Sequence, residues 1–168
     1  MFTMYQNAMI REDQEKYDMA TLLLYRLLEM IEQSRLSHYN LYVSKMDYMR
    51  MKVDEKKHPE WKQVDAKQFF ELVKKNYLEI KKQLFGKAGK DYLPEQISLL
   101  EGFILLLALD DDICRQNNGR HIDKLKRIRS MVHLRNNSIF AHGLGPVGCE
   151  DFQKFKQFVT EMFKEYCI

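Results

Sequence analysis

The stretch "DKLKRIRSMVHLRNNSIFAHG", residues Asp123 to Gly143, is expected to form a helix, with Asp123 able to cap its start and Gly143 able to end it near His142. At about 100° per residue, with Leu125 at 0°, Ile128, Met131, Val132 and Ile139 lie between about 240° and 340° and Leu134 near 180°. These side chains mark the face to be buried. Lys126, Arg129, Ser130, His133, Asn136 and Asn137 fall between about 20° and 140° and mark the wet face. Arg135 lands near 280° and His142 near 260°, with Ser138 near 220°, all inside the apolar arc. A guanidinium stays charged, and stripping its water without supplying a partner costs several kcal/mol. Either a carboxylate such as Asp110, Asp111 or Asp112 pairs with Arg135, or this face lines a cleft or a symmetric interface open to an anion.

Working outward, "EKYDMATLLLYRLLEMIEQSRL" carries Leu23, Arg26, Leu27, Met30 and Ile31 at helical spacing and predicts a long amphipathic helix beginning near or before Asp18. Residues 37–59 lose that pattern and read as a connection with partial helix. "DAKQFFELVKKNYLEIKKQLF" resumes it, then stops in "GKAGKDYLP", whose Gly86 and Gly89 lack phosphate-loop spacing. Pro94 suits the first turn of "PEQISLLEGFILLLALDDD", apolar on most sides and so expected at the centre. "RQNNGR" breaks the chain. A last amphipathic helix holds Phe152, Phe155, Phe158, Val159, Met162 and Phe163. The expectation is an all-α bundle of about five main helices, with no strand and no internal repeat.

The 168 residues suit one domain spanning 1–168. No apolar run approaches the roughly 20 residues of a membrane span, and "MFTMYQNAMIRED" lacks the features of a secretion signal, so a cytoplasmic protein without membrane partners is expected. Cys114, Cys149 and Cys167 have no paired ligand spacing and read as reduced thiols. The adjacent aspartates of "LDDDIC" point about 100° apart on a helix and cannot converge on a metal alone. His38, His58, His121 and His133 read as surface residues.

The net charge of +3 is unevenly spread: residues 120–142 hold six Lys or Arg against one Asp. Lys124, Lys126, Arg127 and Arg129 supply a field for a polyanion, and Lys124, Arg127 and Ser138 are expected to contact it. An Arg and a His without a metal suit RNA. Imidazole can take the proton of a ribose 2′-hydroxyl, imidazolium can protonate the departing 5′-oxygen, and Arg can hold the phosphate as charge builds. DNA lacks the 2′-hydroxyl. Seven residues along a helix rise about 10.5 Å, so one phosphodiester lies far from one partner, and two copies of the 123–142 helix packed about a two-fold axis would make a shared site. Arg115 with His121 and Arg127 with His133 have similar spacing, but the first pair flanks a turn and the second lies about 120° apart.

"RNNSIFAHG" resembles the signature of HEPN-domain ribonucleases: Arg, a polar residue, a short spacer, then His. "YDMATLLLYRLLEMIEQSRL", followed at a distance by "LRNNSIFAHGLGPV" and a Phe-rich last helix, is similar to the effector domain of CRISPR type III accessory ribonucleases, which join a CARF sensor to a HEPN domain. The resemblance implies a helical bundle that dimerises through its motif helix and cuts single-stranded RNA with no metal or other cofactor. It makes Arg135, Asn136 and His142 the catalytic residues. The family's sensor, which binds cyclic oligoadenylate, has no counterpart in residues 1–168, so the resemblance leaves two expectations: a C-terminal piece of a longer protein, or a free-standing relative. Two other readings remain open at this point: a HEPN toxin silenced by a partner antitoxin, and a non-catalytic helical module for RNA binding or interaction.

Overall fold

A computed structural model describes residues 1–86, 92–115, 121–138 and 145–168. Among the described residues there are six α-helices and no strand: α1 (Phe2–Asp13), α2 (Tyr17–His38), α3 (Ala66–Phe85), α4 (Leu99–Ala108), α5 (His121–Asn137) and α6 (Cys149–Cys167). The all-α expectation holds. The periodicity of the sequence does not single out α1, which is separated from α2 by three residues that include Glu15 at φ 57°.

Two compact units divide the chain, residues 1–31 with 126–168, and residues 32–125. In the first, α6 turns Phe152, Phe155, Phe158, Val159 and Met162 inward, the face its spacing predicts. Ala8, Ala20, Leu24, Leu27, Leu28 and Ile31 are buried in α1 and α2 of the same unit. Polar ties fix the register: the Asp18 carboxylate accepts the Val147 N–H at 3.2 Å, and Lys156 donates to Glu12 at 2.7 Å.

In the second unit α3 packs on α4. Asp65 caps α3 by accepting the Gln68 N–H, and Gly86 ends it at φ 70°, a conformation that costs glycine nothing. Seven of the ten residues of α4 are buried, as expected of a central helix. Its start is not at Pro94. Ser98 and Glu101 form a reciprocal capping box that fixes the first turn at Leu99. Gly102 lets the Glu32 side chain lie directly against the α4 backbone, and a Cβ there would land on the Glu32 carboxylate, itself 2% exposed. Gly102→Ala is therefore expected to destabilise the fold by about 1–3 kcal/mol despite the better helix propensity of alanine, read as a lower urea midpoint.

The three aspartates after α4 are each taken up within this unit. Asp111, 0% exposed, receives the Arg35 fork at 2.8 and 3.0 Å, the Tyr39 hydroxyl at 2.8 Å and the Ile113 N–H at 2.9 Å. Burial opposes the charge on Arg35, and Asp111 more than offsets it, so that guanidinium's pKa lies above its ordinary value. Asp112 pairs with Lys57. Asp110 pairs with Arg115 and with Nε2 of His58 at 3.0 Å, and the His58 ring stacks on Trp61 at 3.7 Å. His58 is thus part of a packed network and not the surface residue expected from spacing.

Burial pushes the Asp110 carboxyl up, but Arg115 and His58 hold it below its ordinary value of 3.8. A depressed carboxylate adds stability above the unfolded-state pKa and loses it as pH falls through the folded one. Asp110→Asn should therefore flatten the fall in urea midpoint below about pH 4. Asn also tolerates the φ of 57° at this position, so the backbone need not move.

Candidate RNA-cleavage site

Helix α5 begins at His121, two residues before the expected cap, and ends at Asn137. Its wet face is as predicted: Lys126, Arg129, Ser130, His133, Asn136 and Asn137 are all exposed, while Leu125 and Ile128 are buried. The end is a correction, because the helix does not run to His142. Asn136 and Asn137 are poor interior formers, and Ser138 turns its side chain back onto the chain. The Ser138 N–H and Oγ both donate to the Arg135 carbonyl, at 3.1 and 2.7 Å, which closes the last turn. Ser138 then pairs in an isolated bridge with Gly145. The angle drawn for His142 extends the wheel past the last residue of α5, and His142, Ile139 and Gly143 lie outside the described residues.

Arg135 sits in the last turn of α5, half-buried as its place in the apolar arc predicts. Its guanidinium lies 4.9 Å from the centre of the Tyr25 ring, and Nη1 donates to Asn136 Oδ1 at 3.2 Å. Nε is buried and has no hydrogen-bond partner among the described residues. None of the three aspartates offered as its partner pairs with it in the described structure; Arg35, Lys57, Arg115 and His58 hold them instead. An aromatic face attracts a cation without cancelling its charge, so the N–H edge of Arg135 keeps its capacity for an anion.

The three expected RNA contacts fare differently. Lys124 is 5% exposed, and its ammonium donates to the Ile113 carbonyl at 2.6 Å, so it is a structural lysine. Ser138 is 4% exposed and its hydroxyl proton is committed to Arg135. Arg127 is exposed but pairs with Glu161 at 3.1 Å and covers the Phe158 ring at 4.5 Å. Instead, Lys126, Arg129, Ser130, Val132, His133 and Asn136 line a surface groove of about 580 Å³. Tyr25 is the residue that sequence reasoning misses. It lies in the apolar series of α2, where nothing local in the sequence separates a packing tyrosine from one beneath a charge.

A family model described as the Csm6 HEPN domain matches residues 1–165. The chain belongs to that family. Arg135 and Asn136 therefore stand, in a Csm6 HEPN domain, at the described end of a helix whose next residues lead to His142. No curated protein and no solved structure matches the chain. Among the described residues, no helix of this HEPN domain is long and apolar enough to cross a membrane.

Proposed function

We propose that this chain is a metal-independent endoribonuclease that cuts single-stranded RNA in CRISPR type III antiviral defence. The observation that carries the reading is Arg135, a half-buried guanidinium whose Nε has no partner among the described residues, at the end of α5 in a chain matched almost throughout by a Csm6 HEPN family model. In this reading residues 1–168 are one catalytic domain, and it pairs with a second copy through the motif helix. A CARF domain of the longer protein would gate it by binding cyclic oligoadenylate.

The reaction assigns each group one task. His142 of the pair takes the proton of the 2′-hydroxyl, the O2′–P bond forms as the P–O5′ bond breaks, and an imidazolium returns a proton to the 5′-oxygen. Arg135 holds the phosphoryl oxygens as charge builds on them, and Asn136, bonded to Nη1, fixes the guanidinium plane. The products are a 2′,3′-cyclic phosphate and a 5′-hydroxyl. The test is cleavage of a labelled single-stranded RNA in excess EDTA beside a DNA copy. RNA alone should be cut, and loss of cleavage on chelation would contradict the reading.

Tyr25 is the positioning residue for Arg135 in this scheme. Tyr25→Leu should lower kcat by about tenfold with KM little changed, in the range a ring face contributes to a desolvated cation, and Tyr25→Phe should restore it. Equal loss in both variants would assign the effect to the hydroxyl.

A further inference from the structure

The groove on the wet face of α5 is used by neither the cation–π stack under Arg135 nor the core. Lys126 and Arg129 place two cations on it. Val132 gives it an apolar patch, and His133 an imidazole whose Nε2 lies 2.9 Å from the Asn137 amide, which holds the ring at a fixed orientation. Asn136 lines the same groove and also receives Nη1 of Arg135, so the groove leads to the candidate catalytic arginine through one side chain. Cations beside an apolar and aromatic floor are what a single strand needs: the cations for its phosphates, the floor for its base faces. A folded acidic protein surface would match the charge but leave Val132 and the oriented imidazole unused.

We infer that this groove is an exosite for single-stranded RNA, in which Lys126 and Arg129 hold backbone phosphates and His133 stacks a base, feeding the strand toward Arg135. The inference rests on the ribonuclease reading for its direction but not for its binding chemistry. Neither interaction uses the 2′-hydroxyl, so the exosite should accept DNA of the same sequence.

The test is fluorescence anisotropy with a labelled oligouridine RNA and its DNA counterpart over a salt series, in a His142→Ala background so that nothing is cut. Removing one phosphate-neutralising cation from a single-strand complex lowers the slope of log affinity against log salt by about 0.7, so Lys126→Ala with Arg129→Ala should lower it by about 1.4. His133→Ala should weaken binding by about fivefold or more at unchanged slope, and His133→Phe should restore it. Circular dichroism confirms that each variant is folded. Unchanged affinity and slope in the double variant would overturn the inference, as would binding of RNA but not DNA. Binding that depends on these residues in a protein that cuts no RNA would uphold the exosite and remove the ribonuclease reading.

Discussion

Arg135→Ala is expected to lower the rate of RNA cleavage by about 10²–10³, the usual cost of removing one donor from a developing oxyanion. His142→Ala should cost about 10²–10⁴, the contribution of a positioned acid or base. The arginine variant should nevertheless melt within about 2 °C of the parent, because Arg135 holds no carboxylate among the described residues and its buried Nε has no partner there. Loss of rate without loss of fold is what separates a group kept open for a substrate from a structural ion pair. Arg135→Lys should recover little, since an ammonium on a flexible stem cannot reproduce the planar fork over Tyr25. Single-turnover rates beside a thermal melt decide the matter. A fold that collapses in Arg135→Ala would return this residue to the core.

The second large effect is on stability and lies in the other unit. Asp111→Ala should destabilise the protein by about 3–5 kcal/mol, the range for breaking a buried ion pair by removing one partner. Three donors lose their acceptor together: the Arg35 fork, the Tyr39 hydroxyl and the Ile113 N–H. Arg35 is three-quarters covered, so water recovers only part of that loss. For a chain of this size the shift corresponds to a fall in Tm of about 10 °C. Urea unfolding of Asp111→Ala beside Asp112→Ala, whose carboxylate is largely exposed, gives the contrast. Equal and small changes in both would show that the Arg35–Asp111–Tyr39 cluster contributes little.

Much of this architecture is legible in the sequence because it depends on period and composition. The wet face of α5, the inward face of α6, the central place of α4 and the Asp65 and Gly86 boundaries of α3 all follow from local pattern and capping chemistry. The Ser98–Glu101 box has a sequence signature too, but Pro94 draws the expected boundary four residues early. What pattern does not carry is which charge meets which. Arg35 finds Asp111 across 76 positions, and Lys124 finds the Ile113 carbonyl, so a basic run that looks like one electropositive patch divides into a buried lysine on a carbonyl, an arginine on Glu161, and Lys126 and Arg129 lining a groove. Arg135 is recognisable as misplaced in an apolar arc, but the ring beneath it is not, since Tyr25 belongs to a distant helix in the sequence.

The measurement that bears most directly on Arg135 and His142 as the reacting pair is the chemistry of the cut ends. A short RNA cut in excess EDTA should show, by mass spectrometry, a 2′,3′-cyclic phosphate and a 5′-hydroxyl, and a single 2′-deoxy sugar at the cut should block it. A 3′-hydroxyl with a 5′-phosphate, or cleavage through the 2′-deoxy position, would contradict attack by the 2′-oxygen and with it the roles given to both residues.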